Sequence, residues 1–132
     1  MENIKKSGYR IKETASVRNV GIASNTPEIR GEEFNQLVED NSIDFIWCAR
    51  GGDFLVQMLE YVNKSSLINH PKWVYGSSDP TTLLFWMTTS LDIATLYGHN
   101  AGSLDMKELH PSLQDALEMM KGNLVKQESF EK

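Results

Sequence analysis

The run Ile43-Asp44-Phe45-Ile46-Trp47-Cys48-Ala49 stops abruptly at Arg50-Gly51-Gly52-Asp53, and this passage restricts the fold more than any other feature of the chain. A short, nearly continuous apolar run between turn formers suits an inner parallel strand covered on both faces. Phe54, Leu55, Met58, Leu59 and Val62 follow at helical spacing, so the glycine pair occupies a strand-to-helix turn. The plan then recurs, with Trp73-Val74-Tyr75 as strand, Gly76-Ser77-Ser78-Asp79-Pro80 as turn and Thr81 to about Ser90 as helix. Strands alternating with helices predict an α/β domain with a mostly parallel sheet flanked by helices.

The remaining elements fit around these two units. Residues 1–15 are polar and read as a frayed helix or tail around Lys5 to Glu13. Val17, Val20 and Ile22 suggest a short strand. Thr26 and Pro27 have the chemistry of a helix cap and first position, and Ile29, Phe34, Leu37 and Val38 carry that helix to about Asp40. The Thr81 helix is apolar almost all round and is expected to be central. Ile93 to Tyr97 reads as a further strand, closed by Gly98-His99-Asn100-Ala101-Gly102. A last helix begins near Pro111-Ser112 and stops at Gly122. The expected organisation is a polar segment over 1–15, an α/β domain over 16–122 and a tail over 123–132.

Length and charge exclude several classes. A chain of 132 residues hides roughly 68% of the area its unfolded form exposes, enough for a core without staples. Cys48 is the only cysteine, which rules out an internal disulfide and suits a reducing compartment. Eighteen acidic against thirteen basic residues give a net charge of −5 with the cations scattered, which argues against a nucleic-acid partner. Leu83 to Met87 is the longest strongly apolar run, far below the roughly 20 residues a membrane helix needs. The lysines near the start precede no signal-peptide core, so a cytoplasmic location is expected and no membrane partner. Asp53, Glu60, Asp92 and Asp105 are dispersed, implying no metal or other cofactor, and the methionines read as core filler.

Chemistry in an open parallel sheet gathers outside the carboxyl ends of the strands. Gly76-Ser77-Ser78-Asp79-Pro80 has the logic of a nucleophile elbow, with Pro80 where a glycine is usual. Locally, Ser78 reads more simply as a helix cap, and Arg50-Gly51-Gly52 as an ordinary tight turn. The glycine pair also has the alternative role of bringing a backbone N–H toward the elbow, as half of an oxyanion hole. Cys48, inside a strand, reads as core rather than nucleophile. His99 is the one histidine expected on the site edge, and for it a plain loop role is the simpler reading.

In order, Asp44-Phe45-Ile46-Trp47-Cys48-Ala49-Arg50-Gly51-Gly52, Asn69-His70-Pro71-Lys72-Trp73, Gly76-Ser77-Ser78-Asp79 and Tyr97-Gly98-His99-Asn100 resemble the amino-terminal half of the LD-carboxypeptidases. These are cytoplasmic serine peptidases related to the microcin C immunity peptidases. The resemblance also takes in Arg30 and the residues from Asp40 to Asp44, and it spans roughly 15–130. It implies a flavodoxin-like, class I glutamine amidotransferase-like sheet. It further implies Ser78 as nucleophile, and an oxyanion hole from the backbone N–H of Asp79 with that of Gly51 or Gly52. The substrate would be a murein tetrapeptide or related peptide, cut before its terminal D-alanine through an acyl-enzyme.

In that family the histidine base and its glutamate partner belong to a carboxyl-terminal domain, and an opening strand precedes the first helix. Neither matches residues here, so the expectation is a fold truncated at both ends and no appreciable peptidase activity from this polypeptide alone. None of His70, His99 and His110 matches the family's base. A partner half or self-association would cover the exposed interdomain surface. A non-catalytic peptide- or partner-binding module, or a fragment without function, are the other readings.

Overall fold

The computed structural model describes residues 2–6 and 8–126. They fall into two compact units, Lys12–Ala101 and the paired segments Met1–Ile11 and Gly102–Lys132. In the first unit, helix α2 (Pro27–Glu39) starts where the sequence predicts. Thr26 is extended, its Oγ1 accepts from the Ile29 N–H at 3.4 Å, and Pro27 takes the first turn, where no intrahelical donor is needed. Past its end, Asp40 accepts from Lys12 Nζ at 2.6 Å and from the Ser42 N–H and hydroxyl at 2.8 and 2.7 Å. Lys12 foremost, then Ser42, holds the Asp40 carboxyl well below its usual range.

Three strands form an all-parallel sheet: β1 (Phe45–Trp47), β2 (Trp73–Gly76) and β3 (Leu96–Tyr97), with β2 in the middle. Phe45 pairs with Trp73, Trp47 with Tyr75, and Tyr75 with Leu96. The domain is therefore α/β. Ile46 and Val74 share the core with Phe34 and Val38 of α2, Met58, Val62, Leu67 of α3 (Lys64–Asn69), and Leu83, Leu84 and Met87 of α4 (Thr81–Leu91). Phe45, Trp47 and Tyr75 alternate with those core residues along the strands, and their rings meet at 5.0–6.0 Å in tilted or edge-on contacts.

Four local expectations differ from the structure. Residues 17–22 form no strand, only turns and bends, with Val20 and Ile22 largely exposed; a few apolar residues do not make a strand without a neighbour to complete the hydrogen-bond ladder. β1 lies at an edge of the described sheet and is only three residues long. The helical stripe after the glycine pair winds as a 3-10 helix (Leu55–Tyr61), followed by α3, which Asn63 caps by accepting from the Ser66 N–H at 3.1 Å. The 3-10 segment lies so close to α2 that a β-carbon on Gly31 would fall 2.5 Å from Tyr61 Cβ. Finally, α4 buries Leu83, Leu84 and Met87 but leaves Phe85 67% exposed, so it has an outer face after all.

The second unit contains α1 (Glu2–Lys6) and α5 (Pro111–Met120), and Tyr9, beyond α1, donates its hydroxyl to the Leu117 carbonyl of α5 at 3.4 Å. Where a frayed helix or tail is expected around Lys5 to Glu13, the helix reaches only to Lys6 and residues 9–14 have no regular structure. Ile4, Leu104, Leu113 and Leu117 are the buried apolar residues of this unit. His110 caps α5 through Nδ1, and Gly122 ends the turn beyond it at φ +82°. Residues 127–132 of the expected tail lie outside the described residues. Among the described residues, no helix is long and apolar enough to cross a membrane.

The contrast within α4 yields a stability prediction. Met87 is fully buried and Phe85 is not. Met87→Ala should therefore lower unfolding free energy by about 2–5 kcal/mol, whereas Phe85→Ala should change it by less than about 0.5 kcal/mol. Urea denaturation of the two variants checks both.

Candidate active site

β2 ends at Gly76, and the chain turns through Ser77, Ser78 and Asp79 into Pro80 and α4. The turn is closed by Thr81 N–H to Ser78 carbonyl and Thr82 N–H to Asp79 carbonyl bonds of 2.8 and 3.0 Å. Ser78 is exposed and holds φ +64°, in the left-handed region. For a residue with a β-carbon that conformation costs about 1–2 kcal/mol. Strain of this kind puts a side chain at the crest of a strand-to-helix turn, where a nucleophile is accessible.

Glycine is needed at the base of this turn. A β-carbon at Gly76 would lie 2.9 Å from both Cys48 Cβ and Pro80 Cβ, so the loop after β1 and the elbow after β2 converge only because that side chain is absent. At Gly51 a β-carbon would lie 3.1 Å from Ser78 Oγ, and at Gly52 3.2 Å from Asp79 Oδ2. The structure thus brings together all four residues singled out in the sequence: Ser78, Asp79, Gly51 and Gly52. The backbone N–H groups of Gly51, Gly52 and Asp79 donate to no acceptor among the described residues.

Three side chains, of Asp79, Arg30 and Asn100, hold this arrangement in ways that were not legible in the sequence. Asp79 Oδ2 accepts from the Phe54 and Leu55 N–H groups at 3.1 and 3.0 Å, and Arg30 Nη2 donates to the Phe54 carbonyl at 3.0 Å. The Phe54–Leu55 peptide therefore lies between a guanidinium on its carbonyl and a carboxylate on its N–H, an orientation both charges favour. Arg30 Nε is buried without a partner among the described residues. Asn100 pairs with Ser77 in both directions, Oδ1 accepting from the N–H at 3.0 Å and Nδ2 donating to the carbonyl at 3.1 Å. The Tyr-Gly-His-Asn motif marked this loop, but the sequence does not say that Asn100 is the member turned to the elbow.

The histidines are dispersed. His70 precedes β2, at the opposite edge of the sheet from Ser78. His99 follows β3 on the same edge as Ser78, its carbonyl accepting from Trp47 Nε1 at 2.7 Å. His110 belongs to the other unit. Cys48 is partly buried; desolvation, with a smaller contribution from the Asp79 charge, pushes its thiol up to about 12. Among the described residues no cluster of three or more histidine, cysteine, aspartate or glutamate side chains has the geometry of a metal site.

Comparison with known proteins bears on this geometry. The model of the LD-carboxypeptidase N-terminal domain matches residues 1–98. The microcin C7 self-immunity protein MccF of Escherichia coli is 35% identical over 75 residues, covering 57% of this chain and 22% of that protein. The structure of wild-type MccF without ligand superposes with a TM-score of 0.79 at 27% identity, over 96% of this chain and 38% of MccF. The muramoyltetrapeptide carboxypeptidase of Oxalobacter formigenes superposes with a TM-score of 0.70 at 18% identity, over 88% of this chain and 40% of that one, a likeness in fold. The chain thus spans about a fifth of the curated relatives it matches, 21% and 22%.

Two outcomes follow from the site. Asp79→Ala removes the acceptor of two part-buried N–H groups, and should destabilise the fold by about 1–3 kcal/mol and speed hydrogen exchange at Phe54 and Leu55. The Cys48 thiol should resist a disulfide reagent at pH 8 until the chain is unfolded, because its folded pKa of about 12 leaves little thiolate. An unfolded thiol loses its proton near about 8.5, so this group favours the folded state below that pH and its contribution falls as pH rises toward 12.

Proposed function

Because this chain belongs to the LD-carboxypeptidase family, we propose that it carries the nucleophilic half of a serine carboxypeptidase site. In this reading Ser78 Oγ attacks the carbonyl carbon of the L,D-amide bond before the terminal D-alanine of a murein tetrapeptide. The backbone N–H of Asp79 and that of Gly51 or Gly52 receive the oxyanion, the carbon–nitrogen bond breaks, and D-alanine leaves with a proton on its amine. Water then attacks the Ser78 ester and releases the shortened peptide. The observation that carries the reading is Ser78 itself, exposed at φ +64°, with Gly51 so close that a β-carbon there would lie 3.1 Å from its hydroxyl, and with N–H donors on both sides that have no acceptor among the described residues.

A serine hydroxyl needs a base to attack at neutral pH. His70 lies at the far edge of β2, and at about 3.3 Å of rise per strand residue it is too distant to serve. We assign the base and its carboxylate partner to a second, histidine- and glutamate-bearing half that completes the site. The same reading assigns the reaction to the cytoplasm, in keeping with a lone, partly buried cysteine.

D-Alanine release from a murein tetrapeptide tests this reading. The full chain alone should release none, and chain mixed with the histidine-bearing domain of a family member should release it. In that mixture Ser78→Ala should lower turnover by on the order of a millionfold. Release by the chain alone would remove the need for a second half; unchanged turnover in the Ser78→Ala mixture would remove Ser78 from the mechanism.

A further inference from the structure

We propose that Arg50 binds the terminal carboxylate of the substrate peptide, an inference that rests on the carboxypeptidase reading of Ser78. An enzyme that removes one carboxyl-terminal residue has to distinguish a chain end from an internal bond, and the chemical mark of the chain end is its carboxylate. That anion is three bonds from the scissile carbonyl carbon, at about 1.33, 1.46 and 1.52 Å each, and so lies within about 4 Å of the atom that Ser78 attacks. A cation that recognises it has to stand one short step from the elbow.

Arg50 meets this requirement. A β-carbon on Gly51 would lie 3.1 Å from Ser78 Oγ, and the Cα of Arg50 is one peptide, about 3.8 Å, from that of Gly51. An arginine side chain has the length to cover the remaining gap. Arg50 is exposed, and its guanidinium has no hydrogen bond or ion pair among the described residues.

The other lysines and arginines of this unit are engaged elsewhere. Lys12 and Lys72 bond to Asp40, Arg18 to Glu13, and Arg30 to the Phe54 carbonyl, while Lys64 lies 5.8 Å from the centre of the Trp86 ring. Among the described residues of this unit, Arg50 is thus the one arginine or lysine on the loops that leave the carboxyl ends of β1, β2 and β3. The nearest acidic competitors are Asp79, whose Oδ2 is occupied by two N–H groups, and Asp53, which makes no ion pair among the described residues. A guanidinium fork matches a carboxylate with two parallel hydrogen bonds, which a lysine does not reproduce.

Titration calorimetry of the full chain tests this with two probes, a murein tetrapeptide ending in D-alanine as the free acid and the same peptide as its carboxyl-terminal amide. The wild-type chain should bind the acid about tenfold more tightly, a loss of about 1.4 kcal/mol for the amide. Arg50→Gln should bind both peptides equally. Arg50→Lys, which keeps the charge but loses the fork, should retain part of the preference, and thermal unfolding verifies that both variants fold. Equal affinity of the wild-type chain for acid and amide, or a preference that survives Arg50→Gln, would overturn the assignment. Ser78→Ala should keep the acid preference, so the carboxylate site and the nucleophile are judged by separate measurements.

Discussion

The Asp79 carboxylate is the interaction on which the organisation of this site depends. It sits one residue past the strained Ser78, at the entrance to α4, and takes the N–H groups of Phe54 and Leu55 from the loop that leaves β1. One acidic oxygen thereby ties the elbow of β2 to the end of the loop that follows β1. Charge-assisted bonds of this kind are about twice as strong as neutral ones, and here each satisfies a part-buried backbone donor that would otherwise be unpaired. Arg30 completes the tie from α2 by holding the carbonyl of the same peptide group. The elbow, the glycine loop and the first helix of the unit are thus linked through a single peptide.

A second link runs along the other side. Asn100 substitutes for a neighbouring strand, giving Ser77 both an acceptor and a donor just where β2 ends and regular pairing stops. The residue before Ser78 is therefore held by a side chain and the residue after it by its own carboxylate. A backbone at φ +64° persists only when its surroundings over-determine it, and these two anchors meet that condition. Close packing does the rest, since any side chain at Gly76 would collide with Cys48 and Pro80 and force the two loops apart.

Much of this was legible beforehand, for reasons that differ by element. Helix α2 was readable to within a residue because Thr26, Pro27 and the apolar spacing of Phe34, Leu37 and Val38 are local signals. The segment 54–62 was not, because its apolar stripe fits either helical winding and sequence spacing does not choose between them. Residues 17–22 form no strand because Val17, Val20 and Ile22 are only a local signal while strand formation needs a partner. The apolar composition of α4 suggested burial all round, yet neighbours reach only the face carrying Leu83, Leu84 and Met87.

The candidate site divides in the same way. Gly51, Gly52, Ser78 and Asp79 could be named in advance because turns after parallel strands collect at one sheet edge, and because glycine and serine at such turns have few local explanations. The order of these residue types along the chain was also sufficient for the family. The amino-acid order does not disclose that Asp79 turns its carboxylate back to the preceding loop, that Asn100 pairs with Ser77, or that Arg50 has no ion pair among the described residues. The first two are relations between residues 23 to 25 positions apart, and all three are set by the register of short parallel strands and by which groups are already satisfied once the loops have met.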